Sequence, residues 1–375
     1  MIFDKLLNVH YLDNAATDRY KPCSVINAVT HELHHSANAG RGGHAESIRA
    51  GMKLEDCREE VRKLTGLNNV ILTKNCTEAL NLAIFGICKK GTVLTDVFEH
   101  NSVLRPLYKL KYDGKIKLKI INSSYGEITL KEVSEALTSD TQTVVLSAMN
   151  NVTGCTSDIG EIADFLSKKR INLIVDAAQS MGHVFQKFNG VTAVCSSGHK
   201  GLHGPQGTGF LALADNAPEL SPLILGGTGS EAESTIQPHT MPDGYESGTQ
   251  NTLGFAGLAE GIRWTLANQI AITNKIKNLG ELLFAEINSI PNIKLYSPHV
   301  GSVATFNVQG LLPSEVSDKL TERKIYLRSG LHCAPLAHNA LGTLNMGGAL
   351  RASLGYINTP SDIYALITAL KTIAK

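Results

Sequence analysis

The sequence predicts an α/β fold built on a mostly parallel central sheet, with a second, smaller α/β unit toward the carboxyl end. Three observations carry this. Short apolar runs recur at 69–73 (NVILT), 92–97 (TVLTDV), 117–121 (KLKII), 143–148 (TVVLSA), 171–177 (INLIVDA), 191–197 (VTAVCSS) and 209–213 (GFLAL), most of them separated by helix-length segments. Runs without polar alternation suit strands covered on both faces, as in a parallel sheet between helix layers. The length of 375 residues exceeds the roughly 250–300 at which single cores stop growing, and the pattern changes after about residue 256.

Taken in order, residues 44–65 place Leu54, Cys57, Val61 and Leu64 at helical spacing, and the pattern stops at Gly66. Cys76, Thr77 and Glu78 open an apolar helix directly after the first long strand. Beyond the last apolar run the spacing predicts a helix over 256–289, a strand over 302–308, and a helix over 313–323 opened by Pro-Ser-Glu. An Arg-containing strand over 349–354 and a final helix over 359–374 complete the second unit. The segment NALGTLNMGG (339–348) holds several glycines and reads as a candidate flap.

Composition narrows the function classes. Hydrophobic residues make up 43% and charged residues 18%, and the formal net charge is +1, so there is no basic field to hold nucleic acid. No run of about 18 apolar residues suggests a membrane span, which leaves small molecules or proteins as partners. The opening MIFDKLLNVHYLDNAAT meets acidic Asp4 and a polar motif too soon for a secretory signal, so the cytoplasm is expected. Seven Cys residues with no CxxC pair argue against a disulfide framework and a zinc ribbon. No metal site is expected, since His332, Cys333 and His338 lack a fourth ligand.

The chemistry-bearing residues fall at strand ends, where α/β sheets collect ligands. Asp176 ends a five-residue apolar run, with Gln179 three positions on; such an Asp either caps a helix or partners a ring nitrogen kept protonated. Lys200 sits in a Gly-rich turn between two apolar strands. A lysine held back from bulk water can lose its proton near neutrality and condense with an aldehyde, whereas an exposed one stays an ordinary cation. Ser197 and His199 could bind an anion beside it. The helix start at Cys76–Thr77 offers free N–H groups, a ready phosphate site or a simple cap. His100 lies just past the strand TVLTDV, where an imidazole can stack on an aromatic ring. An aldehyde-reactive lysine, a carboxylate, a phosphate site and a stacking imidazole are together the parts that pyridoxal 5′-phosphate requires.

On these residues the chain resembles the class V aminotransferase-like branch of fold-type I pyridoxal-phosphate enzymes, and within it the cysteine desulfurases and selenocysteine lyases. The likeness runs from YLDNAAT to LRASLGYINT, nearly the whole chain. It implies a large cofactor-binding domain over 15–255 and a small domain formed by 1–14 with 256–375. It also implies that Lys200 bonds the cofactor aldehyde, Asp176 and Gln179 meet the pyridine nitrogen and phenolate oxygen, and His100 stacks on the ring. Cys76 stands where many relatives carry a hydroxyl residue, beside Thr77, which with Ser197 and His199 would hold the phosphate. In YESGTQNT, Thr249 would reach the phosphate of a second subunit, which implies a homodimer.

The substrate expectation rests on RSGLHCAPLAH and on Arg351. The motif is similar to that of the short-loop desulfurase group, in which the resemblance makes Cys333 the nucleophile that takes sulfur from L-cysteine and leaves alanine. Arg351, with Asn151, would fix the substrate carboxylate through a bidentate pair. A free thiol has a pKa of about 8.5, so Cys333 needs nearby positive charge, for which Arg328 and His332 are candidates. A selenocysteine lyase would use the same parts, and an acceptor or scaffold protein is expected for the persulfide. A true aminotransferase or a non-catalytic carrier are the other readings.

Overall fold

The computed structural model describes residues 9–40, 42–231 and 233–375. The leader reading of the amino end falls largely on residues 1–8, outside the described residues. Along the chain the strands are β1 (His10–Tyr11), β2 (Asn69–Thr73), β3 (Thr92–Asp96), β4 (Lys117–Ile121), β5 (Thr141–Ser147), β6 (Asn172–Asp176) and β7 (Ala193–Ser197). They continue with β8 (Gly209–Leu213), β9 (Ile293–Leu295), β10 (Val303–Val308), β11 (Ile325–Tyr326), β12 (Arg328–Gly330) and β13 (Ala349–Ser353). The seven expected strands of the first unit are all present, shifted at an end by one or two residues at most.

Those seven form one sheet in the order β2-β8-β7-β6-β5-β3-β4, parallel except for β8, which runs antiparallel to both neighbours. Alternate residues of its central strands enter two separate cores. Val144, Leu146, Leu173, Val175 and Val194 join the first with Leu54, Val61 and Ile162, while Val145, Ile174, Ala193 and Cys195 join the second with Leu80, Ile84 and Leu107. Burial on both faces explains why these strands carry no polar alternation. Because the strands other than β8 share a direction, their carboxyl ends meet along one edge.

A second sheet, β12-β13-β10-β9, is antiparallel and builds its own core from Phe306, Leu350 and Ala352 with Leu283 and Leu366 of two flanking helices and Leu12 from the amino end. Phe306 is fully buried at its centre. Phe306→Ala is expected to cost about 3–5 kcal/mol of stability, read as a lowered midpoint in urea.

The helix expected over 256–289 is two helices, Thr252–Ala267 and Gln269–Asn288, broken at Asn268. There the Asn268 side-chain amide donates to the Trp264 carbonyl at 2.8 Å and the backbone leaves helical geometry. Phe255, Leu258 and Ile262 of the first helix pack in the main-sheet core, whereas Ile272, Leu279 and Leu283 of the second pack in the other. Each half has an apolar face, so the periodicity continues across the break while its target changes. The segment 339–348 ends one short helix (Pro335–Ala340) and forms a turn in which Gly348 N–H donates to Thr343 O at 3.0 Å.

Candidate active site

Five strand ends supply the site. After β2, Asn75 caps the helix Cys76–Ile87 by accepting the Glu78 N–H at 2.9 Å. After β3, His100 caps Asn101–Tyr112; β5 leads to Asn151, β6 ends on Asp176, and β7 ends on Ser197 just before Lys200. The five ends surround a cavity of about 110 Å³. Its wall gathers Cys76, Thr77, His100, Asn151, Asp176, Gln179, Ser197, His199 and Lys200, residues the sequence singled out from across 125 positions of chain.

The approach of Lys200 to Asp176 depends on two glycines. A Cβ on Gly182 would lie 2.0 Å from the Gly201 carbonyl oxygen, and one on Gly201 would lie 2.3 Å from that of Met181. The backbone of the turn after β6 therefore touches the backbone of the lysine turn, closer than any side chain permits. Burial pushes the Lys200 ammonium below the ordinary lysine value of 10.5, with the Asp176 charge opposing that fall. Asp176 Oδ1 accepts the Ala178 N–H at 2.9 Å and the Cys76 thiol at 3.6 Å. Burial, reinforced by the Asp176 charge, pushes the Cys76 thiol well up, so it is a protonated donor rather than a nucleophile.

Burial favours the neutral form of both imidazoles. Burial lowers His100, and its Nδ1 accepts the Ser102 N–H at 3.0 Å, which leaves the ring proton on Nε2. Burial, with repulsion from Lys200 and Lys21, pushes His199 down to about 4, and its Nδ1 lies 2.9 Å from Thr17 Oγ1. Gln179 Nε2 donates to Ala15 O at 2.9 Å, which fixes the amide. Ser197 Oγ is buried without a hydrogen-bond partner among the described residues. An orphaned buried hydroxyl in a cavity that also holds a helix start and a buried carboxylate fits an anionic, ring-bearing ligand.

On the rim, Arg351 of β13 is buried, donates from Nη1 to Asn151 O at 2.9 Å and pairs through Nη2 with Asp13 at 3.3 Å. Its Nε has no hydrogen-bond partner among the described residues. Arg328 of β12 lies directly across the ladder from Arg351. Arg351 alone pairs with the Asp13 carboxylate among the described residues, while the Arg328 charge acts on it through space; burial raises the Asp13 pKa and both arginines lower it. The rim is short of negative charge, the condition for holding a substrate carboxylate.

Cys333 is exposed on a tight turn in which His332 and Cys333 both adopt left-handed φ, 48° and 56°. Successive left-handed non-glycine residues are strained and persist only where neighbours impose them. Here Asn101 N–H donates to Cys333 O at 2.8 Å and Asn151 Nδ2 to His332 O at 2.8 Å. The thiol borders a second opening whose wall shares Thr77, His100 and Ser102 with the first cavity.

His332 does not supply the positive charge expected of it. Burial, with repulsion from Arg351, pushes its imidazole well down, and the neutral ring lies 3.1 Å from His338 Nε2. Arg351 is the buried cation whose charge interacts with Cys333. Thr249 is exposed and outside the cavity wall. Sequence reading missed Asp13, Thr17 and Ser102, and it missed Glu99, a buried carboxyl that burial pushes well up and that accepts both the N–H and Oγ–H of Ser147. The motif YLDNAAT was the signal for the first two.

A family model described as "Aminotransferase class-V" matches residues 10–366. The chain belongs to the class-V aminotransferase family. It is 32% identical to a protein of Methanothermobacter thermautotrophicus named "Probable cysteine desulfurase", over 98% of this chain and 96% of that one. It is 31% identical to a protein of the same name from Pyrococcus abyssi, over 98% and 94%. Among solved structures, the apo cysteine desulfurase of Thermococcus onnurineus superposes with a TM-score of 0.88 at 28% identity, covering 98% of this chain and 95% of that one. The cysteine desulfurase CsdA of Escherichia coli superposes with a TM-score of 0.85 at 26% identity, over 98% and 95%. Among the described residues no helix is long and apolar enough to cross a membrane.

Proposed function

We propose that this chain is a pyridoxal-phosphate-dependent cysteine desulfurase, taking sulfur from L-cysteine onto Cys333 and releasing alanine. The observation that carries this reading is the strained, exposed Cys333 turn pinned beside His100 at the mouth of a cavity that holds Lys200 and Asp176. The relatives named above support it. When bound, the cofactor supplies an aldehyde that bonds amines and a protonated ring that takes up the electron pair left when an α-proton departs. Lys200 would bond that aldehyde, Asp176 and Gln179 would meet the ring, His100 would cover its face, and Thr77, Ser197 and His199 would hold the phosphate.

The remaining work belongs to the protein's own groups. Arg351 takes the substrate carboxylate, with Asn151 and Arg328 beside it. Lys200, made less basic by burial, removes the α-proton of cysteine. Cys333 Sγ then bonds the substrate sulfur as the Cβ–S bond breaks, and the electron pair left on Cβ is protonated on the way to alanine. A base that works unprotonated makes the rate rise with pH through its pKa, and burial lowers that pKa below 10.5. We expect kcat on cysteine to climb and level off at a pH clearly below 10.5; a midpoint at or above it would remove Lys200 from this role.

Two organisational readings accompany the proposal. The chain works as a homodimer in which Thr249 reaches the partner's phosphate site, and Leu225 and Ile236, both about 70% exposed near this segment, are suited to burial between subunits. A division into a larger unit with the cofactor groups and a smaller one with Arg351 and Cys333 has its second boundary at the break at Asn268 rather than at 255, because Leu258 and Ile262 pack in the main-sheet core. A cytoplasmic setting suits seven free thiols, and a persulfide calls for a protein acceptor.

The deciding experiment is mass spectrometry after brief exposure to L-cysteine, with alanine assayed in the same tube. A one-sulfur adduct on Cys333 together with alanine is expected. Alanine without the adduct would mean that an external thiol takes the sulfur, pyruvate with sulfide would mean β-elimination, and 3-mercaptopyruvate would point to transamination. Running selenocysteine in parallel decides between sulfur and selenium.

A further inference from the structure

Outside the active site, three loops bring Glu127, Cys155 and His299 together, with one ligand atom of each within 4.8 Å of the others. Glu127 follows β4, Cys155 follows β5, and His299 lies between β9 and β10 of the second sheet. His299 Nε2 already sits 2.9 Å from the Glu127 carboxylate. The Cys155 thiol is buried, and all three residues line one cavity of about 420 Å³. His183, whose Nδ1 has no hydrogen-bond partner among the described residues, lines the same wall.

We propose that these residues form a binding site for a single transition-metal dication, zinc above all. Donors at about 2.0–2.3 Å from a tetrahedral zinc stand roughly 3.3–3.8 Å apart, so the widest separation here has to shrink by little more than about 1 Å. The two ligands that must move are free to do so: the side chains of His299 and Glu127 are 65% and 44% exposed. A thiolate, an imidazole and a carboxylate select zinc over the hard cations magnesium and calcium. Three protein ligands leave a fourth position facing the cavity, open to water or a small anion.

The position of the site gives the metal a consequence. It joins a loop of the second sheet to two loops of the main sheet, and the Cys155 turn is the one that carries Asn150 and Asn151. Asn151 accepts from Arg351 and donates to the carbonyl of His332. Zinc at Cys155 would therefore stiffen the backbone that seats the active-site rim, whether or not sulfur is the element transferred there.

The test uses the holoenzyme carrying Cys333→Ser, so that the exposed active-site thiol does not compete. After dialysis against zinc chloride and then metal-free buffer, elemental analysis is expected to find about one zinc per chain. Cys155→Ser and His299→Ala in the same background are expected to retain several-fold less; His299 is exposed, so its variant folds whatever happens at Cys155. A zinc-induced rise in melting temperature should be present in the parent and missing in His299→Ala. Equal retention in parent and both variants, or none in the parent, overturns the proposal, as does zinc held only when Cys333 is intact.

Discussion

Lys200→Ala is expected to lose at least about 10²–10⁴-fold in alanine production from cysteine, the span that a positioned general base contributes. That is about 3–5 kcal/mol of barrier at 1.36 kcal/mol per tenfold. The loss should exceed what removing a cation from the wall would cause, because the position combines two demands. The amine must be unprotonated near neutrality, which burial provides, and it must stand over Asp176, which the contact between Gly182 and the Gly201 carbonyl enforces. Lys200→Arg keeps positive charge and most of the volume but cannot act as a base, so it should be as inactive as the alanine variant. A small exogenous amine should restore part of the rate to Lys200→Ala and none to Lys200→Arg, whose side chain still fills the space. Activity within tenfold of the parent in either variant would remove Lys200 from the chemistry.

The sequence made most of the main sheet legible because its strands are apolar toward two cores at once, as Val144 and Val145 illustrate. The same criterion fused two helices across Asn268, since periodicity records that a face is apolar and not which core receives it. The helix Cys23–His34 escaped notice because it buries only Val25 and Glu32, too little to draw a stripe. At the site, Lys200, Asp176 and His100 were readable as polar residues at the ends of apolar runs. Asp13 and Thr17 were not, since their meaning lies in partners 338 and 182 positions away, Arg351 and His199. Burial is invisible in a sequence, which is why His332 could be read as a cation and Glu99, next to His100, went unremarked.

Cys333→Ala separates the two halves of the proposed reaction. Sulfur transfer should fall by at least about 10²-fold, because no other thiol on the rim can replace an intrinsically strong nucleophile. Cys76, the other thiol near the cavity, is buried and held protonated against Asp176. Lys200 does not depend on Cys333, so removal of the α-proton should continue: in deuterated water the variant is expected to exchange the α-hydrogen of cysteine at a rate close to the parent's. Cys333→Ser should behave like the alanine variant, since a serine hydroxyl keeps the size and the turn but is a far weaker nucleophile toward sulfur. Sulfide release at the parental rate in Cys333→Ala without an added acceptor would show that the substrate sulfur leaves unaided. Loss of both exchange and transfer would instead show that the turn at 332–333, tied to Asn101 and Asn151, shapes the cavity in which Lys200 works. The serine variant resolves that case, because it keeps a polar side chain of similar volume at the same left-handed backbone position.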